Sequence, residues 1–510
     1  MLLLFRKVLF YMDILLLTSN SITIELSNDD CYYTKDYEVF LNDKFHIKNN
    51  KNVFTIYDLI PDTNYVIKVN DKSIAFKTYN YKTINYCSEN DNTNIDDTKN
   101  LQYALDNLAE NEVLHIDGTY LVTSLFLRNN NKIYLTGKLR GQNDRTLFPI
   151  LSKDEVVNGI VLGTWEGKAD DCFSSIITGI DVKNILIYGP GVIDCEAHLG
   201  NWWKNHRVLN VARRPKGIFL HTCENVTFEG ITVCNTPSWN QHPFYSKHLN
   251  YINMKLLNPA DSPTTDGIDP ESCDDVKIIG TYISVGDDCI AIKSGKIDFA
   301  RKYKTPSKNI IIRNCLMEDG HGGVTLGSEN SGGISSVCVT QCLFKNTDRG
   351  LRIKSQRTRG NLAVIDNIIF NNITMDGVKS PFVINAFYKA GNDICDFRFD
   401  RDYMTPSDIT PIFKTFTFTN IKCYNVCYGL AFFLGLPESM ISGVTLRNIF
   451  VNYDYSSTAG QMAMTMWDEK FKNVGIVCEN VDSLILDNVS YKNEPSEKFI
   501  LRNVGNVEEM

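Results

Sequence analysis

Gly286-Asp287-Asp288 places two adjacent carboxylates behind a glycine, and a third, Asp266, lies upstream in Thr265-Asp266-Gly267. Gly320-His321-Gly322 and Arg352-Ile353-Lys354 follow downstream. Acids, one imidazole and a cationic pair thus recur at intervals of roughly 20 to 35 residues. Crowded carboxylates cannot all ionise freely, so one is held as a proton donor while another remains a base. That division of labour suits glycoside hydrolysis. Arg352 and Lys354 are two positions apart, so on a strand both point to one face and can clamp an anionic group. Taken singly, each motif reads more readily as a turn or a loop. Their order and spacing carry the reading, because a chain that coils with a similar period would stack them in one column.

The elements that must position this column recur from about residue 112 to the C-terminus. One short apolar alternation returns, usually ending in Asn or Gly, as in Asn184-Ile185-Leu186-Ile187-Tyr188-Gly189, Asn225-Val226-Thr227-Phe228-Glu229-Gly230 and Asn309-Ile310-Ile311-Ile312-Arg313-Asn314. Successive short strands with almost no helical periodicity between them predict a solenoid, in which stacking makes a continuous core that no single rung could form. The expected fold is all-β, a right-handed parallel β-helix. Asn suits its corners, because it tolerates left-handed backbone and can stack in hydrogen-bonded ladders. A leucine-rich horseshoe lacks its L-x-x-L-x-L frame here, and a β-propeller would need four strands and a blade motif per repeat.

Residues 18–80 differ in character. Short alternating runs separated by polar turns, such as Tyr37-Glu38-Val39-Phe40-Leu41 and Tyr65-Val66-Ile67-Lys68-Val69, predict a small antiparallel β-sandwich. Leu59-Ile60-Pro61-Asp62-Thr63-Asn64-Tyr65 resembles the corner of fibronectin type III domains. The expected organisation is an N-terminal extension over 1–17, the sandwich over 18–80 and a parallel β-helix over 85–510. Ser88 to Asn94 reads as a polar loop between the two domains. Asp96-Asp97-Thr98 before Leu101, Ala104, Leu105 and Leu108 predicts one amphipathic helix that closes the end of the coil.

A net charge of −8 and a pI near 5.6 argue against a nucleic-acid or membrane-surface partner. An acidic chain that binds an acidic ligand must concentrate its cations locally. The 15 cysteines show no paired CxxC framework and read as buried free thiols of a reducing compartment. The apolar start is broken by Arg6, Lys7 and Asp13, is too short to span a bilayer, and precedes no small-x-small cleavage site. Translation from Met12 and a cytoplasmic location are expected on these grounds, with secretion as the alternative.

Thr265-Asp266-Gly267-Ile268-Asp269, Gly286-Asp287-Asp288-Cys289, Gly320-His321-Gly322 and Arg352-Ile353-Lys354 together resemble, in order and approximate spacing, the four successive motifs of the polygalacturonases, glycoside hydrolase family 28. The resemblance covers roughly residues 85–500. It implies an inverting hydrolase of α-1,4-linked galacturonan on a right-handed parallel β-helix, with no metal or other cofactor. Asp287 would then protonate the glycosidic oxygen, and Asp266 and Asp288 would hold and deprotonate the attacking water. His321 would support the acid, and Arg352 and Lys354 would bind a galacturonate carboxylate, with Lys293 as a further carboxylate ligand. One departure stands out, since the family's Asn-Thr-Asp is Thr264-Thr265-Asp266 here. The N-terminal module and Cys289 to Lys296 resemble the bacterial exo-acting branch, and the insertion from Phe387 to Pro411 is the candidate wall that exo action needs. Trp202, Trp203 and Trp239 are candidates either for stacking on sugar rings or for rung packing. A calcium-dependent pectate lyase and a non-catalytic carbohydrate-binding β-helix are the alternatives, with an acidic polysaccharide as the partner in each case.

Overall fold

Parallel pairing begins where Lys82–Asn85 meets Glu112–Ile116 and continues without interruption to Phe499–Glu509 at the C-terminal end. The computed structural model describes residues 11–88, 93–390 and 396–510. Residues 1–10 of the expected extension, part of the Ser88–Asn94 loop and part of the Phe387–Pro411 insertion lie outside the described residues.

Each rung contributes up to three strands, and each strand pairs in parallel with its counterpart one rung away. The first face runs through Lys183–Tyr188, Glu224–Glu229, Lys247–Ile252, Asp274–Ile279, Ser307–Arg313 and Ile334–Thr340. The second runs through Val192–Asp194, Thr232–Cys234, Lys255–Leu257, Tyr282–Ser284 and Leu316–Glu318. The third, which carries the acidic, histidine and Arg-Ile-Lys motifs, includes β1 (Gln241–Phe244), β2 (Ile290–Ile292), β3 (Val324–Gly327), β4 (Arg349–Lys354) and β5 (Ser380–Asn385). Parallel pairing between successive rungs is the expected right-handed β-helix and is incompatible with a propeller's antiparallel blades.

Alternating apolar side chains from the three faces converge inside the coil. Ile187, Phe228, Tyr251, Ile278, Ile312 and Val339 form one buried file, and Ile268, Ile290, Val324, Leu351 and Phe382 another. The corners work as the sequence requires. Asn184, Asn225, Asn309 and Asn367 all take positive φ; the Asn225 amide N–H donates to Asn184 Oδ1 at 2.8 Å, and the Asn184 amide N–H donates to Asn130 Oδ1 at 2.9 Å. A second ladder runs from Asn488 to Asn448 to Asn420, each step 3.0 Å. The helix Thr98–Asp106 buries Leu101 and Leu105 against the first rungs, closing that end of the core.

The N-terminal module is a sandwich of a three-stranded and a four-stranded antiparallel sheet. It begins earlier than residue 18, because Tyr11–Leu17 pairs with Ile22–Ser27 and buries Met12 in the sandwich core. The Ile60 N–H donates to the Tyr65 hydroxyl at 2.9 Å, pinning the corner between two strands. The module is clamped to the edge shared by the first and second faces. Arg313 donates twice to Glu25 at 2.7 Å, Asn314 donates to the same carboxylate, and Thr55 and Tyr57 donate to Glu229.

Candidate active site

The third face brings the sequence-predicted residues into one column. Ile268 bridges to Ile290, Ile290 pairs with Val324, and Val324 pairs with Leu351. Asp266, Asp287-Asp288 and His321 therefore sit at the same point of successive rungs, just before these strands, while Arg352 and Lys354 stand within the next one.

Neighbouring strand residues point to opposite faces, so both acids of Asp287-Asp288 can face the site only if the backbone turns. It does: the chain bends at Gly286 and Asp287 and again at Cys289 before β2 begins. Main-chain bonds hold the bends, with Gly267 N–H donating to Asp288 O at 2.9 Å, His321 N–H to Asp287 O at 2.9 Å and Cys289 N–H to Gly322 O at 2.8 Å. Gly322 has a specific steric role. A Cβ there would lie 2.8 Å from Asp288 Oδ1 and 3.2 Å from Arg352 Cδ, so only glycine lets these two side chains meet.

The side chains divide into three groups. Asp288 is fully buried and takes Arg352 Nη1 at 2.8 Å and Lys354 Nζ at 2.5 Å. Burial alone would raise its pKa, but the charges of Lys354 and Arg352 hold it far below the usual carboxylate range. Asp287 is partly open, with His321 Nδ1 3.4 Å away. Burial also works to raise it, but the hydrogen bond to His321, aided by the charge of Lys354, keeps it below its ordinary value. That same hydrogen bond raises His321. Asp266 is pushed up to about 7, first by burial and then by the charge of Asp287, with Lys293 opposing. A carboxylate held low and a carboxyl held high are thus placed side by side, and burial raises Asp269, next to Asp266, as well.

Lys293 is placed differently from the expected substrate ligand. It is 3% exposed and surrounded by Asp266 at 3.4 Å, Asp269 at 3.5 Å and Glu329 at 3.7 Å. Its ammonium lies 4.6 Å from the centre of the Trp239 ring, a cation–π contact. Lys293 neutralises the buried end of the acidic cluster instead of reaching outward. Trp239 and Trp202 are buried, and the Trp203 indole N–H donates to Thr236 O.

Several residues of the cluster belong to none of the four motifs. Glu329 completes the Lys293 cage. Tyr388 lies over Lys354 at 5.7 Å, and Met464 Sδ lies 3.0 Å from Arg352 Nη2. Asp269 was visible within Thr265–Asp269, but Met464 and Tyr388 arrive from distant loops and carry no local signal. Thr264, where the family has Asn, sits at φ +54°, a left-handed conformation that strains a β-branched residue. Its hydroxyl oxygen accepts from Arg214 at 2.5 Å and donates to Pro263 O at 2.7 Å.

Two structures rise beside this face. The hairpin pairing Thr164–Trp165 with Lys168–Ala169 lies against it. Trp165 stacks on Trp239 with ring centres 6.0 Å apart at one edge, and Gly167 O accepts from Lys296 N at 3.1 Å at the other. On the side of the later rungs, the insertion after β5 and the loop before Val474 brace each other. Arg401 packs over Trp467 at 3.7 Å and pairs with Glu469 at 3.1 Å.

The fourteen cysteines among the described residues are unpaired, and no helix among them is long and apolar enough to cross a membrane.

Comparison with known proteins agrees with this geometry. A probable polygalacturonase of Vitis vinifera is 28% identical over 333 residues, covering 64% of this chain and 65% of that protein. The chain thus spans just under two thirds of that relative's length. The structure of a Yersinia enterocolitica family 28 exopolygalacturonase superposes with a TM-score of 0.72 at 18% identity, covering 98% of both chains. An exopolygalacturonase of Thermotoga maritima superposes with a TM-score of 0.64 at 22% identity, covering 81% of this chain and 92% of that one. These structures share the fold. The relatives are plant and bacterial enzymes and lend no support to a cytoplasmic location. Residues 127–459, the span that contains all four motifs of the column, match the model of the glycosyl hydrolases family 28, and the chain belongs to that family.

Proposed function

We propose that this protein hydrolyses α-1,4-galacturonosidic bonds with inversion. The observation that carries the reading is the column in which Asp287, partly open and backed by His321, faces the buried Asp266 and Asp288. Asp287 protonates the leaving oxygen, and Asp266 and Asp288 hold and deprotonate the water. Substrate supplies the missing adjustment. A sugar seated on Asp287 excludes water and brings a negative carboxylate, and both effects raise its pKa toward that of a competent acid. A galacturonate carboxylate drawn to Arg352 and Lys354 also competes for the cations now paired with Asp288, which makes Asp288 more basic.

The test is release of reducing sugar from polygalacturonate. Asp287→Asn is expected to lower kcat by at least about 10³-fold, the upper part of the range for losing an acid–base group. Wild-type turnover by that variant would remove the assignment. Activity that survives a chelator, without ultraviolet-absorbing product, separates hydrolysis from a calcium-dependent lyase.

The reading extends to exo action. Support comes from the hairpin around Gly167, which reaches both edges of the third face and would stop a chain from threading past it. Further support comes from Tyr388, 5.7 Å from Lys354, and from Arg401, braced on Trp467 of the loop before Val474. A product time course that contains mono- or digalacturonate from the start is expected, and an early ladder of mixed oligomers would overturn it.

A further inference from the structure

Beside the catalytic column lies a cavity of about 260 Å³, bounded by Arg145, Trp165, Trp202, Lys204, Arg213 and Arg214. In a chain of net charge −8, so many cations around one small space require a reason. We propose that this cavity is a carboxylate-binding subsite, which takes the uronate one sugar removed from the cleavage point and thereby sets product length. The proposal rests on galacturonan as the substrate.

Arg214 carries the argument. It is 5% exposed, yet none of its partners is a carboxylate. It donates to the carbonyl oxygens of Pro237 and Pro263 and to the Thr264 hydroxyl, and its Nε has no partner. Two other buried arginines are treated differently: Arg352 holds Asp288, and Arg357 holds Glu438 at 2.6 Å. A buried guanidinium with no carboxylate in contact is costly, and here burial lowers its pKa to about 10 although the charge of Glu166 opposes it. A bound anion would relieve that cost. A second buried donor lines the same space, since Trp202 is 1% exposed and its indole N–H has no partner. Arg145 stacks over Trp202 at 4.6 Å and donates to Asn201. Arg213 already holds Asp170 at 2.7 Å, so the uncommitted charge lies with Arg214, Arg145 and Lys204.

The cavity is joined to the site through named contacts. Arg214 grips Thr264, two residues before Asp266. Its guanidinium also lies 5.6 Å from the Trp165 ring, which stacks on Trp239, the ring in contact with Lys293. The volume is below that of drug-sized pockets, about 300–1,000 Å³, and suits one sugar ring instead of a chain.

The test measures binding of trigalacturonate by calorimetry to the full chain carrying Asp287→Asn, which stops turnover. Two analogues accompany it, each with one terminal carboxyl reduced to the alcohol. One of the two is expected to bind about 10- to 100-fold more weakly than the parent, the range for losing a charge-assisted hydrogen bond. Arg214→Gln, and Arg145→Gln at a half-buried position less critical for folding, are expected to bind the parent no better than that analogue and to lose nothing further on it. If the Arg variants weaken all three ligands by one common factor, or weaken none, the subsite is overturned. Hydrolysis of trigalacturonate by the unsubstituted protein is measured separately. Its absence, with the binding pattern intact, would remove the hydrolase reading and leave the subsite standing.

Discussion

Asp266 is the carboxyl whose proton is lost near neutrality, and its pH behaviour follows from its neighbours. Its pKa is pushed up to about 7 by burial and by Asp287, with Lys293 pulling the other way. Asp266 therefore gives up its proton as pH rises through about 7. The rate constant kcat/KM is expected to fall as pH rises through this region. Lys293→Gln removes the opposing charge, so the falling limb should move to higher pH, which a pH–rate profile on oligogalacturonides would reveal. The same change strands three buried carboxylates, and unfolding by urea should show a loss of about 3–5 kcal/mol. An unmoved limb would mean that Lys293 does not govern that proton. At this scale the sequence revealed the identities of Asp266, Asp287, Asp288 and His321, because their spacing matches one rung. It could not reveal that Lys293 faces inward, because that depends on Glu329 and Trp239 closing around it.

Among the elements, the corners and the rungs were the most legible. Period and Asn placement are local properties, and Asn184, Asn225 and Asn309 take the left-handed backbone that their side chains tolerate. The hairpin across the third face was invisible. Its strands are two residues long, show no alternation, and find their partners Trp239 and Lys296 far along the chain. Its tip offers a precise test. Gly167 has φ +73°, and a Cβ there would lie 2.8 Å from both Lys296 N and Glu329 Cγ. Gly167→Val should therefore lift the tip from the face. If the hairpin is the barrier, chromatography of a digest should show longer oligomers at early times, and an unchanged product pattern would acquit it.

The whole molecule joins its two parts through buried polar contacts, and Glu229 makes the joint sensitive to pH. Burial pushes its pKa up to about 7 from 4.5, against the hydrogen bonds from Thr55 and Tyr57. The folded chain therefore holds a proton that the unfolded chain has released, and the linked stability is complete below about pH 4.5 and lost as pH rises through about 7. Glu229→Gln should flatten this dependence. Urea midpoints at pH 5 and pH 8 would measure it, with the wild type losing more on the way up than the variant. Parallel slopes in the two proteins would place the pH sensitivity elsewhere. The ion pair of Glu25 with Arg313 makes a second joint.

Sequence by itself determined the repeating strand, the corners, the order of the catalytic motifs and therefore the β-helix and its family, because each depends on neighbours one rung away or closer. Tertiary structure alone decided which charges are spent inside the protein and which remain for a ligand. Lys293 and Arg214 look alike in the sequence as basic residues near the motifs, yet one is enclosed by Asp266, Asp269 and Glu329 while the other hydrogen-bonds two carbonyls and a hydroxyl and touches no carboxylate. The difference is physical. A buried charge takes its meaning from the counterions that folding brings within a few ångströms, and those come from rungs and loops that are remote in the chain.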